Sequence, residues 1–270
     1  MFTIREYVMP ETLEEAYTIL KSRKGNQILG GCAWLRLGKK KINIAVDLSK
    51  CGLDYIREDD EKIEIGAMTS YRSVETSDIL KRYFNGAIAG SVSSIIGTQF
   101  RNTVTVGGSV YGRFGFSDFL TPLLALDTTV VLYKKGSVPL EEFMMMPYEK
   151  DIIEKIVIAK DGRKASYQMF RNSRADFPIL NLAVSKTCDG SFYVTVGARG
   201  PKAVRAQKTA AYLTERLALG TDNLEEIIKE AAAILADEVK FTDNMRASAA
   251  YRKILSGVLL GKAVREVEAC

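Results

Sequence analysis

The chain has 270 residues, 47% of them hydrophobic, enough to bury one large or two ordinary globular cores. Its 38 basic and 33 acidic residues are interspersed and leave a net charge of +5, so a nucleic-acid surface is not indicated, and no run of eighteen apolar residues suggests a membrane span. Histidine is absent, which rules out Ser-His-Asp and Cys-His nucleophiles and histidine metal sites, while Cys32, Cys51, Cys188 and Cys270 share no short spacing that would assemble a metal or iron–sulfur ligand set.

The N-terminus, Met-Phe-Thr-Ile-Arg-Glu-Tyr, lacks a basic-then-apolar signal pattern, so a cytoplasmic location is expected. After Pro10, Thr12-Leu-Glu-Glu15 is a capping-box pattern, and Leu13, Ala16, Tyr17 and Leu20 follow at helical spacing, so the first element is an amphipathic helix. Residues 26–29 read as a short strand running into Gly30-Gly31. Ile42, Ile44, Val46 and Leu48 alternate along a second strand, residues 62–67 form a third, and helices are expected near 71–84 and 86–96. The β-branched run 103–106 predicts a strand ending on Gly107-Gly108, which delivers backbone to a point where side chains would be in the way. Ser117 and Asp118 then open an apolar helical run to Leu126, gathering a hydroxyl, a carboxylate and free N–H groups at one helix start.

Strands are expected at 128–133 and 152–159. Beyond Asp161-Gly162 come three strands in succession, 165–170, 178–187 and 192–198, with Asp189-Gly190 as a hairpin turn, and then helices near 203–217, 224–235 and 247–267. Strands followed by helices describe an α+β unit and place a domain boundary near Gly162. The first domain is expected over residues 1–162, with subdomains of about 1–55 and 56–162, and the second over 163–270.

Two glycine pairs at strand ends are the strongest local signal. Ile28, Leu29, Gly30, Gly31, Cys32, Ala33 and Trp34 set two glycines between a strand and an apolar segment, a turn that can present successive N–H groups to a pyrophosphate. The run is not G-x-G-x-x-G and does not predict a Rossmann fold. Alone it reads more readily as an ordinary glycine turn. The second pair, within Thr105, Val106, Gly107, Gly108 and Ser109, favours one ligand held by two loops. Asp118 is placed to accept from ribose or ribityl hydroxyls, a role compatible with Ser117 and Asp118 capping their own helix. Tyr111, Phe114 and Phe116, interleaved with Gly112 and Gly115, either lay an aromatic face beside a planar ring or anchor their loop in the core. The run Met144-Met145-Met146 reads as gap-filling core or helix surface.

The ordered set Gly30-Gly31, Ile65-Gly66-Ala67-Met68-Thr69, Arg101-Asn102-x-x-Thr105-Val106-Gly107-Gly108, Ser117-Asp118 and Pro122-Leu-Leu-Ala-Leu126 resembles the FAD-binding medium subunit of molybdenum hydroxylases, the xanthine dehydrogenase and carbon monoxide dehydrogenase relatives. Tyr167-x-x-x-Arg171 with Asp176-Phe177, and Ala250-Tyr251-Arg252, extend the resemblance over nearly the whole chain. It implies an α+β protein: a two-part FAD-binding domain of the vanillyl-alcohol oxidase type, then a C-terminal α+β domain in which the three strands form an antiparallel sheet with helices. It further implies that Ile28 to Trp34 and Thr105 to Ser109 wrap the FAD pyrophosphate, that Ser117 and Asp118 lie at the cofactor's hydroxyl-bearing chain, and that Ile152 and Ile153 approach the flavin. Three positions depart from the family pattern: Cys32-Ala33 replaces Thr-Asp, Ser109 replaces asparagine, and Met169 replaces a lysine. Main-chain cradling survives these changes, but loss of the lysine removes a cation from near the flavin.

The function so implied is electron relay. A separate molybdenum-cofactor subunit oxidises the substrate, a 2Fe–2S subunit passes electrons to FAD held here, and NAD is the expected acceptor, with no catalytic residue and no metal on this chain. Two alternatives stay open. One is a stand-alone flavin oxidoreductase, for which no substrate pocket with polar anchors is identified; the other is a non-catalytic assembly or cofactor-delivery protein of the same fold.

Overall fold

The computed structural model describes residues 2–220 and 223–269. Twelve strands occur among the described residues: β1 (Thr3–Val8), β2 (Gln27–Leu29), β3 (Lys41–Asp47), β4 (Ile56–Glu58), β5 (Lys62–Gly66), β6 (Thr128–Leu132), β7 (Gly136–Pro139), β8 (Ile153–Ala159), β9 (Lys164–Phe170), β10 (Leu180–Lys186), β11 (Phe192–Gly197) and β12 (Val204–Arg205). They form three sheets, in the orders β1-β3-β2, β4-β5-β8-β6-β7 and β12-β11-β10-β9. The chain divides into two compact units. One comprises Met1–Val74, Gly97–Gly112 and Thr128–Ile158, the other Glu75–Ile96, Arg113–Asp127 and Ala159–Cys270.

In the first unit the predicted helix forms at Leu13–Ser22. Its N-cap Thr12 hydroxyl accepts from the Glu15 amide at 3.2 Å, and the Glu15 carboxylate accepts from the Glu11 amide at 3.2 Å, so the capping box closes one residue early. Ala16 and Leu20 are buried beneath it. β3 runs parallel to β1 on one side and to β2 on the other, burying Ile42, Ala45 and Val46. β1 was not predicted, and the reason is physical: Thr3 to Tyr7 are all exposed on an edge strand, so no alternation marks them. The short strands β4 and β7, three and four residues long, escaped for want of length. In β5, the buried Glu64 carboxylate has three cationic partners: Arg57 Nη2 and Lys155 Nζ each lie 2.8 Å away and Lys62 Nζ 3.2 Å. Burial pushes its pKa up, but these three cations overcome that and hold it at about 2.

In the second unit the predicted hairpin forms at Gly190, with φ +87°, and pairs Lys186 with Phe192. The sheet has four strands rather than the three expected. β12 adds to β11 through Val204 and Arg205, a two-residue strand after Gly200-Pro201 that periodicity has no means of detecting. Alternation sorts β10 and β11 by face. Leu182, Val184, Val194 and Val196 join Leu213, Leu217, Ile228, Leu235, Leu259 and Val264 from the three helices Gln207–Ala218, Leu224–Glu238 and Ala249–Ala269. The intervening Ser185 and Thr195 instead donate to the backbone of the fully buried helix Leu120–Ala125, to Ala125 O at 2.5 Å and Thr121 O at 2.7 Å. Arg163 and Arg205 donate to Ala125 O and Leu124 O, at 3.0 and 2.8 Å. The carbonyls of this buried helix are thus satisfied by side chains of the sheet and by Arg163 just before it.

Candidate functional site

The first glycine pair sits where the sequence placed it, at the end of β2. Gly31 and Cys32 are successive left-handed residues, with φ +67° and +57°. Such a reversal turns backbone amides outward, and among the described residues the N–H groups of Gly31, Cys32 and Ala33 donate to no protein acceptor. Only glycine suits position 31 on two counts, its positive φ and the Thr103 carbonyl oxygen, which a Cβ would approach to 1.9 Å.

The second pair reaches the same place by a different route from the one expected. Residues 103–106 are not a strand. The helix Thr98–Thr103 ends, Thr105 makes a single antiparallel bridge to Ser70, and a second helix, Val106–Gly112, begins. The β-branched run lost to tertiary contact. The Val106 amide donates to Thr69 O, Gly107 to Ala67 O, Gly108 to Thr105 Oγ1 and Ser109 to Thr105 O, at 2.9, 2.7, 3.2 and 3.1 Å, so the first-turn donors are all occupied. What this pair contributes is proximity. A Cβ on Gly108 would stand 2.6 Å from Gly30 O, and one on Gly107 would stand 2.7 Å from the Ala67 Cβ. The two glycine pairs therefore meet backbone to backbone.

A cavity of about 220 Å³ opens beside this contact. Of the residues expected at a ligand, Ile28, Leu29, Gly30, Thr105, Gly107, Gly108, Ile152 and Ile153 border it. Gly31, Cys32, Ala33, Trp34, Val106 and Ser109 do not. Val106 is buried, the Ser109 hydroxyl donates to Thr105 O at 2.9 Å, and Trp34 is half-exposed before the short helical turn Leu35–Leu37. Sequence reasoning missed Gln27, Met68 and Lys150 on the cavity wall. Lys150 donates to Leu20 O and Arg23 O at 3.1 and 2.6 Å, and burial, with the nearby charges of Lys21 and Lys40, lowers its pKa. Of the aromatic loop, Tyr111 borders the cavity and packs edge-on to Tyr148, whereas Phe114 and Phe116 stack on each other in the second unit, with Phe116 against Phe177, as loop anchors.

Asp118 belongs to the second unit. The apolar helix starts at Leu120, so the expected cap is made by Ser117 alone, whose hydroxyl accepts from the Leu120 amide at 3.2 Å. The buried Asp118 carboxylate accepts from Tyr167 Oη and, at 2.9 Å, from Arg171 Nη2, while Asn181 Nδ2 donates to Tyr167 Oη at 3.2 Å. Burial pushes the Asp118 carboxyl up against the pull of Arg171, and pushes the Tyr167 phenol well above its usual range, with Asp118 adding to the effect. Asp118 Oδ1 is thus already spent on two protein donors. Among the described residues no group of three or more acidic or cysteine side chains is placed to hold a metal, and no helix is long and apolar enough to cross a membrane.

Residues 2–160 match the model of the FAD binding domain in molybdopterin dehydrogenase, and residues 165–267 that of the CO dehydrogenase flavoprotein C-terminal domain. The chain is 24% identical to the Escherichia coli K12 protein YgfM over 95% of its length and 94% of that protein. It is 24% identical to the glyceraldehyde dehydrogenase medium chain of Sulfolobus acidocaldarius, covering 97% of each. The fold is that of a chain of the CO dehydrogenase of Oligotropha carboxidovorans, with a TM-score of 0.88 at 21% identity over 100% of this chain and 99% of that one. An FAD-binding domain over more than half the chain, followed by the flavoprotein C-terminal domain, makes this protein a member of the FAD-binding subunits of the molybdenum hydroxylases, an oxidoreductase subunit with FAD as its cofactor.

Proposed function

We propose that this chain is the electron-transfer subunit of a cytoplasmic, heteromeric molybdenum-containing dehydrogenase of the xanthine dehydrogenase type. A molybdenum-cofactor subunit and a 2Fe–2S subunit are its partners, and NAD is the favoured acceptor. The observation that carries the reading is the contact of Gly30 with Gly108 beside the unpartnered amides of Gly31, Cys32 and Ala33. A pyrophosphate needs N–H donors and close approach more than it needs cations, and this turn offers both with no side chain in the way. The residues present therefore fit FAD.

In this reading Ile28 to Trp34 and Thr105 to Ser109 hold the pyrophosphate, the first loop through its amides and the second by closing against it. Ile152 and Ile153 supply apolar contact and exclude water. The family resemblance carries Ser117 and Asp118 into the same proposal, as partners of cofactor hydroxyls. When bound, FAD supplies the redox chemistry, taking electrons singly and passing them on in pairs. No side chain is asked to move a proton, in keeping with a chain that has no histidine. The three-stranded and five-stranded sheets are read as the two parts of a vanillyl-alcohol oxidase-type domain within residues 1–162, followed by the C-terminal domain at 163–270.

The test is reduction of the loaded flavin, followed by loss of its visible absorbance. Reduction by the complex's substrate only when both partner subunits are added is the expected result. Direct reduction of the isolated chain by a small molecule would point instead to a stand-alone oxidoreductase, and no reduction in any mixture to an assembly protein.

A further inference from the structure

Buried polar atoms are almost always satisfied, so an orphan needs an explanation. Asn26 shows the rule: its Nδ2 donates to Ile19 O at 2.6 Å and to Ser22 Oγ at 3.0 Å, and its Oδ1 accepts from the Ile44 amide at 3.3 Å. The next residue breaks it. Gln27 Oε1 is buried with no hydrogen-bond partner, and its Nε2, which is not fully buried, makes no hydrogen bond to protein among the described residues. Gln27 borders the cavity, three residues before Gly30. Along a strand that is roughly 10 Å, about one ribose beyond a pyrophosphate seated at the glycine turn.

We infer that the Gln27 carboxamide reads the adenine edge of FAD, its Oε1 accepting from the exocyclic amino group and its Nε2 donating to the ring nitrogen N7. The inference rests on the FAD reading above and assigns a specificity-determining residue within it. Three features select this ligand group. An orphaned carbonyl oxygen requires a donor, which no phosphate provides. An amide with both ends unpaired matches an edge carrying a donor beside an acceptor, and a glutamine or asparagine makes this bidentate pair with adenine wherever proteins read that base. The walls, with Ile28, Leu48 and Met68, are apolar enough for a flat ring. The three-ring isoalloxazine carries a comparable edge, and the test separates the two orientations.

Apo-protein is titrated with FAD and with its deaminated analogue, in which hypoxanthine replaces adenine, following quenching of flavin fluorescence. On the edge that carries N7, hypoxanthine presents only acceptors, O6 and N7, and leaves Oε1 without a donor, so the analogue is expected to bind roughly 10- to 100-fold more weakly. In Gln27→Leu the preference is expected to shrink to within about threefold, through weaker FAD binding. A second readout needs no flavin: Gln27→Leu removes a buried orphan, so the apo-protein's Tm is expected to hold or rise. Equal affinity of the natural chain for both dinucleotides, or an undiminished preference in Gln27→Leu, would overturn the assignment while leaving the FAD reading intact. Uptake of neither dinucleotide would overturn both.

Discussion

Gly108→Ala offers a sharp test of whether the two glycine pairs touch. Gly108 lies inside the helix Val106–Gly112, where alanine would ordinarily stabilise by roughly 0.5–1 kcal/mol. Its new methyl would stand 2.6 Å from Gly30 O, about 0.8 Å short of an ordinary 3.4 Å contact, and the atom it meets is backbone. Overpacking of this kind costs roughly 1–3 kcal/mol, so the net change in stability should be a loss of about 0–2.5 kcal/mol. Spreading the loops should also misalign the free amides of Gly31 to Ala33. Losing one charge-assisted hydrogen bond, roughly 1.5 kcal/mol, lowers FAD affinity about tenfold. Gly90→Ala is the matched control. Gly90 lies in the helix Ala87–Ser93 and a Cβ there meets nothing within 4 Å, so this variant should be stabilised by roughly 0.5–1 kcal/mol with FAD affinity unchanged. The assays are thermal or urea unfolding of the apo-protein and an FAD titration by fluorescence quenching. If Gly108→Ala gains stability as Gly90→Ala does and binds FAD like the natural chain, the backbone contact is not what requires glycine there.

Two further perturbations probe the scaffold. Glu64 has a lowered pKa, about 2 against an ordinary 4.5, so its carboxylate stabilises the fold fully above about pH 4.5 and progressively less as pH falls toward 2. Glu64→Gln should cost roughly 1–2 kcal/mol at neutral pH and flatten that acid limb, a difference that urea unfolding at pH 6 and pH 3 would reveal and that a pH-independent gap would contradict. Arg252 is buried and donates to Ile179 O, Ala247 O and Asn244 Oδ1 at 2.9, 3.0 and 2.7 Å, and also to Thr242 O. Arg252→Met strands those acceptors and should destabilise by roughly 3 kcal/mol or more, read as a fall in unfolding midpoint, and a change under 1 kcal/mol would refute it.

Much of the site was legible because glycine has few reasons to be paired at the end of an element. The pair at Gly30-Gly31 was placed correctly, with φ +67° at Gly31 supplying the reason. The pair at Gly107-Gly108 does mark a close approach of main chain, to Ala67 and Gly30, but at a helix start rather than a strand end. Thr103 to Val106 has the composition of a strand, yet the contacts that decide its conformation come from Thr69, Ala67 and Gly30, far away in sequence. Asp118 shows the converse limit. Its buried pairing with Tyr167 and Arg171 depends on residues about fifty positions on, which no local pattern contains. Gln27 left no trace in the sequence, since an orphaned atom becomes visible only once every neighbour is placed. In the second unit long periodic elements were read well, and the fourth strand was lost because two residues have no period.

The central claim is that the turn at Gly30-Gly31, closed by Gly107-Gly108, holds FAD. The visible absorption spectrum of the purified chain, with the chromophore released by denaturation and identified as FAD or FMN, tests it most directly. The account predicts one FAD per chain, either carried through purification or taken up on addition. Colourless protein that takes up no added FAD, or equal uptake of FMN, which lacks the pyrophosphate, would contradict it.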